Sequence, residues 1–204
     1  APRNVVIRFT RESGLLEGMS ANTVSGNGSV SGNEPGTPDV PAQEPGVEYD
    51  PENGVYVVYV GEDGTYDISN FEPGVYSIDI TAEGYMPLTL SSVTIDSGSS
   101  LPTFELLSSD GTGHLPIRGQ VTDATNNQPI AGVTVNIRAN WNNRTGAVIA
   151  TTTADDAGNY YFELDRGYYT IEFAREGYVS EFVNVATSNQ TPVRDGHLSI
   201  VADV

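Results

Sequence analysis

The sequence predicts an all-β chain of two tandem seven-stranded β-sandwiches, and three observations lead there. First, one pattern occurs twice: residues 61–85 read GEDGTYDISNFEPGVYSIDITAEGY and residues 154–178 read ADDAGNYYFELDRGYYTIEFAREGY. Gly64 and Tyr66 recur 94 positions on as Gly158 and Tyr160, while Gly74, Tyr76, Gly84 and Tyr85 recur 93 positions on as Gly167, Tyr169, Gly177 and Tyr178. A slip of one residue across a turn is what a duplicated domain with a trimmed loop shows. Second, 204 residues suit two domains of about 100 residues, each able to bury a core without staples. Third, Val, Ile, Thr and Tyr are abundant, as a pleated, half-buried surface requires, and 22 Gly and 12 Pro punctuate them.

The second half, residues 111–204, parses element by element. Residues 117–123 form a short alternating strand, and residues 124–129 (ATNNQP) a turn cluster. In residues 132–138, Val133, Val135 and Ile137 share one face at period two. The polar loop 139–146 (ANWNNRTG) follows, then strands at 147–153, 160–164, 168–174 and 179–185. Residues 197–204 supply the last strand, with Leu198, Ile200 and Ala202 on one face. Seven short strands at roughly ten-residue spacing describe a sandwich.

These residues also carry a family resemblance. Gly119, Val121 and Asp123, then Pro129, Ile130, Gly132, Val133 and Val135, then Gly158, Tyr160, Phe162 and Leu164, then Gly167, Tyr169, Ile171 and Phe173, then Gly177 and Tyr178, resemble the carboxypeptidase regulatory-like domain. That family has an Ig/transthyretin-like sandwich and is related to the Cna-B surface repeats. The resemblance covers essentially all of residues 115–204. It implies a fold, and a role as spacer, stalk, adhesive or accessory module; the zinc ligands of the carboxypeptidases belong to a different domain.

The first half, residues 1–110, matches only from about Gly54 onward, with strands at 55–60, 65–71, 75–82, 85–94 and 101–107. Before them lies a Gly/Ser/Pro-rich insert, residues 20–46, without apolar periodicity. Ahead of the insert, Asn4, Val5, Val6, Ile7, Arg8, Phe9 and Thr10 form a strand whose closest counterpart is residues 133–138. On that alignment the first sandwich lacks a counterpart of residues 117–123 and is one strand short. An uncovered slot exposes backbone donors and acceptors, so something must fill it. The candidates are part of residues 17–30 folding back, a strand upstream of residue 1, or Asn4–Thr10 exchanged between subunits, which head to tail builds a fibre; on a different alignment residues 4–10 are themselves the first strand.

Composition narrows the chemistry. The net charge of −18 repels nucleic acid and anionic membrane, and no apolar run approaches a membrane span. There is no cysteine, and all nine basic residues are arginine, which excludes thiol chemistry, Schiff bases and lysine isopeptide crosslinks. Opening on Ala1 is consistent with a processed secreted chain or a cloned fragment. His114 and His197 sit in no nucleophile or zinc motif. The carboxylates Asp50, Glu52, Glu62, Asp63, Asp155 and Asp156 fall in turns, which asparate side chains cap; calcium is the second reading for Asp50 with Asn53 and for Asp155 and Asp156 with Asn159. Trp141, among amides, is the candidate ligand contact for a sugar ring, against the alternative of covering the sandwich end or a neighbour's surface. Asn27, Asn143 and Asn189 head candidate glycosylation sequons. No catalytic residue, metal site or cofactor is assigned.

The expectation is a non-enzymatic extracellular or cell-surface structural protein: a subunit of a fibre, stalk or adhesin, self-associating, with strand complementation as the specific form. The alternative is a glycan- or protein-binding accessory module of a larger secreted enzyme or receptor.

Overall fold

The computed structural model describes residues 2–12, 27–32, 45–96, 99, 101–187, 194–199 and 201. The chain divides into two compact units, Ala1–Asp110 and Gly111–Val204. The described residues are all-β, without a helix.

The first unit contains β1 (Val6–Arg11), β2 (Asn27–Gly32), β3 (Gly46–Asp50), β4 (Val55–Tyr59), β5 (Thr65–Asp67), β6 (Gly74–Thr81), β7 (Leu88–Ile95) and β8 (Phe104–Leu106). They form a five-stranded sheet in the order β3-β4-β1-β6-β7 and a three-stranded sheet in the order β5-β2-β8. Alternation decides which face is buried. Ile7 and Phe9 on β1 and Tyr76, Ile78 and Ile80 on β6 are fully buried, while Arg8 between the first two is exposed. Phe9 meets Phe71 edge to face at 4.9 Å, and Tyr56 stacks on Phe71 at 4.0 Å.

The second unit contains β9 (His114–Asp123), β10 (Thr134–Ala139), β11 (Val148–Thr153), β12 (Asn159–Asp165), β13 (Tyr168–Ala174), β14 (Glu181–Ala186) and β15 (Gly196–Leu198). Its sheets run β11-β10-β13-β14 and β12-β9-β15. One core joins them: Ile117, Val121 and Leu198 from the smaller sheet pack with Val135, Ile137, Ile171 and Phe173 from the larger. Val133, Val135 and Ile137 do share the inward face, each fully buried. The last strand is shorter than expected; Leu198 is buried, and Ile200 and Ala202 lie outside the described residues.

The pairing partners show which strands correspond. β1 lies between β4 and β6 as β10 lies between β11 and β13. β9 pairs antiparallel with β12 and parallel with β15, and β2 pairs antiparallel with β5 and parallel with β8. Gly28 is opposite Tyr66 as Gly119 is opposite Tyr160. Val30 is opposite Phe104 as Val121 is opposite Gly196.

Asn27–Gly32, from within the polar insert, therefore takes the place of β9. The first unit is not one strand short: its first two strands arrive in the opposite order. Asn4–Thr10, the candidate intersubunit strand, falls largely within β1, which is hydrogen-bonded along both edges in its own chain. The first unit also has a strand with no counterpart among the described residues of the second. β3 caps β4, with all five of its residues exposed, through a five-pair register and the stacking of Tyr49 on Tyr56 at 4.2 Å.

Candidate functional site

The repeated residues build two turn devices in each unit. At the hairpin before β5, the N–H of Gly64 donates to the Gly61 carbonyl, and before β12 the N–H of Gly158 donates to that of Asp155, both at 2.9 Å. Gly64 and Gly158 have φ of 78° and 74°, where a side chain is strained. At Gly158 an added Cβ would also sit 2.5 Å from the Val121 carbonyl oxygen.

The second device is a tyrosine folded back over a glycine. The Tyr76 ring lies against Gly74 and the Tyr169 ring against Gly167, where a Cβ would press on the ring at 3.3 Å in each. The hydroxyls then donate to carbonyls four residues upstream, Tyr76 to Glu72 at 2.6 Å and Tyr169 to Asp165 at 2.9 Å. Burial raises the pKa of both phenols. The Gly-x-Tyr repeats are thus explained by packing and backbone satisfaction.

Three of the turn carboxylates, Asp50, Asp63 and Asp155, turn back onto their own loops. The Asp50 carboxylate accepts from the N–H groups of Glu52 and Asn53 and from Asn53 Nδ2. Asp63 accepts from Thr65 N and Oγ1, and Asp155 from the N–H groups of Ala157 and Asn159. These bonds hold all three below the usual carboxylate range: the Asn53 side chain leads for Asp50, the Thr65 N–H for Asp63 and the Asn159 N–H for Asp155. Among the described residues no three His, Asp or Glu side chains gather as a metal set would, and the calcium candidates are Asp-capped turns. His114 is exposed, its Nδ1 3.3 Å from Asp165. His197 Nδ1 meets Thr122 Oγ1 at 2.8 Å.

Loop 139–146 is fastened to the outer face of the larger sheet. Asn140 and Asn142 have φ of 70° and 53°, a region asparagine tolerates, which explains an amide-rich loop. Asn142 and Asn184 exchange two 2.9 Å hydrogen bonds, and buried Thr170 Oγ1 donates to the Asn140 carbonyl. Half-buried Trp141 donates its indole N–H to the Val185 carbonyl at 2.9 Å and meets Tyr168 edge to face at 5.5 Å. Its polar handle is used within the chain. Asn143 is half-buried, with Nδ2 donating to the Ala139 carbonyl and Oδ1 accepting from Gly146 N. The side chain of Asn27 and the whole of Asn189 lie outside the described residues.

One polar cluster escapes sequence reading. Arg138 and Glu172, with side chains 10% and 16% exposed, pair at 2.8 Å, and Asn136 Nδ2 adds a third group on the same Glu172 oxygen. Arg138 Nε also donates to the Gly146 carbonyl, which ties the loop down. Outward phase on each strand is visible in the sequence; that β10 pairs with β13 is not. Removing one member of such a pair leaves the other as a nearly buried charge without its partner, which is strongly destabilising.

No curated protein matches the chain. Among solved structures it is similar to the Bacillus anthracis TIE protein, at 16% identity over 88% of this chain and 34% of that one, with a TM-score of 0.37. It is similar to GBS52, the minor pilin of Streptococcus agalactiae, at 11% identity over 98% and 84%, TM-score 0.34. The shaft pilin SpaA of Lactobacillus rhamnosus GG gives 10% identity over 90% and 100%, TM-score 0.36. The chain spans about a third of the TIE protein and 63% of a streptococcal ancillary pilin. Residues 116–198, most of the second unit, match the family model described as the carboxypeptidase regulatory-like domain.

Proposed function

We propose that the chain is a non-enzymatic structural protein of the cell exterior, a self-associating subunit of a surface fibre, stalk or adhesin. The carrying observation is where its polar groups go. The carboxylates of Asp50, Asp63 and Asp155 hold their own turns, and Trp141 and Asn143 bond to backbone carbonyls of their own unit. What remains is a pair of β units presenting an acidic, lysine-free surface.

Strand complementation between subunits has to compete with pairing inside the chain. A strand tethered to its own sheet meets it at a high effective concentration, so β1 and β2 are held in cis unless a neighbour's slot binds far more tightly. Assembly through surfaces and sheet edges carries no such penalty. For the accessory-module alternative, Trp141 offers a ring whose N–H is already committed.

The test is negative-stain microscopy of the purified chain at rising concentration, with surface labelling of intact source cells. Filaments or arrays together with surface labelling are expected. An intracellular location, or hydrolase activity that tracks with the purified chain, contradicts the proposal.

A further inference from the structure

We infer that the outer edge of β11 in the second unit is a docking edge for a second copy of this chain, paired strand to strand through the same edge. The inference extends the self-association reading and rests on it only in the choice of partner.

The duplication shows what this edge can hold. β4 is the counterpart of β11: each pairs antiparallel with the corresponding strand, β1 or β10, and leads into the turn before β5 or β12. In the first unit β3 occupies β4's outer edge over five residue pairs. Among the described residues nothing pairs with the outer edge of β11. The backbone phase is fixed there. Ala154 N donates to the Val133 carbonyl, so by antiparallel alternation Thr152 faces β10 and Thr151 and Thr153 direct their N–H and C=O groups outward.

Charge separates this edge from the others. Native edge strands are kept apart by charges, and here nearly every edge carries a carboxylate. β3 has Glu48, β5 Asp67, β8 Glu105, β12 Glu163 and β14 Glu181. On β7 the Ser92 N–H is taken by the Glu12 carboxylate at 2.9 Å, and on β15 the His197 N–H by Glu181 at 2.6 Å. From Gly146 to Ala154 the chain has no charge and no proline. Val148 is 45% and Ile149 53% exposed there, with Ile149 the extra residue of a bulge against β10.

A second copy is the partner this favours. Two chains of net charge −18 repel overall, an uncharged seam lowers that cost where they meet, and each copy brings the same seam. Antiparallel pairing of identical edges is self-complementary and closes on a two-fold axis. The occupant is not a neighbour's β3, which is acidic and already paired.

Sedimentation velocity of the full chain across concentration and salt tests this. A reversible dimer is expected that tightens as salt screens the remaining repulsion. Ile149→Lys and, separately, Thr151→Pro should each weaken it by about tenfold or more, since both copies carry the change. Thr151→Pro removes an outward N–H and leaves the ladder to β10 in place. Circular dichroism melts report whether each variant folds. If either fails to fold, hydrogen exchange of the wild type decides, with Thr151 and Thr153 amides protected only at dimer concentrations. A wild type monomeric at every concentration and salt, a dimer indifferent to both folded variants, or β11 amides unprotected in the dimer overturns the inference. Filaments persisting with a monomeric β11 edge would overturn it while leaving the fibre reading standing.

Discussion

At the scale of single residues, the duplicated signature is a set of packing solutions. The equivalent tyrosines Tyr66 and Tyr160 show where the copies diverge. Both are almost fully buried, and burial pushes both phenols up. Tyr160 donates to the Arg194 carbonyl at 2.6 Å, directly over Gly119, where a Cβ would meet that same oxygen. Tyr66 has no hydrogen-bond partner among the described residues. Replacing a satisfied buried hydroxyl costs about 1 kcal/mol and strands its acceptor, whereas removing an unsatisfied one is close to neutral or favourable. Tyr160→Phe should therefore lower stability by about 1–2 kcal/mol and Tyr66→Phe by almost nothing, as measured by urea denaturation. Equal losses would contradict the assignment. The sequence marks both tyrosines, but nothing in it says that, among the described residues, Tyr160 alone of the two finds an acceptor.

At the scale of elements, the hairpins depend on aspartates whose ionised form the turn prefers. Each of Asp50, Asp63 and Asp155 is held below its ordinary pKa by hydrogen bonds within its turn. The stabilisation is thus complete above the unfolded value of about 4 and is lost as pH falls through the lower folded value. Asp155→Ala should destabilise the chain at pH 6, and the gap from wild type should shrink on acidification below about pH 4. The comparison within one pH series cancels the relief of self-repulsion that protonating a highly acidic chain brings. A gap constant down to pH 2 would refute the role given to the Asp155 carboxylate. Turns like these were legible, because Asp, Asn and Gly at fixed offsets have a mechanism. β3 was not, because a strand with every side chain exposed leaves no alternation to see. Loop 139–146 was legible as polar, but its attachment to β14 depends on pairings remote in sequence.

At the scale of the whole molecule, two-unit organisation was readable from the repeat, and strand order in the first unit was not. The sequence offers several fillers for the open slot, residues 17–30 folding back among them, and does not choose, because the second unit places β9 before β10. The filling strand's signal was present downstream of β1: Gly28-Ser-Val30-Ser answers Gly119-Gln-Val121-Thr. A strand of glycine and serine has low β propensity and no apolar face, so composition alone assigns it to the loop. Only the two-sided pairing with β5 and β8 identifies it. The central claim is that Asn27–Gly32 completes the first sandwich from within the same chain. Ser29 and Thr65 are register partners across β2 and β5, and the protein has no cysteine of its own. Ser29→Cys with Thr65→Cys, oxidised and run on a non-reducing gel, tests it directly. A fast-migrating, disulfide-closed monomer is predicted at every protein concentration, and a ladder of disulfide-linked multimers, or free thiols throughout, would contradict it.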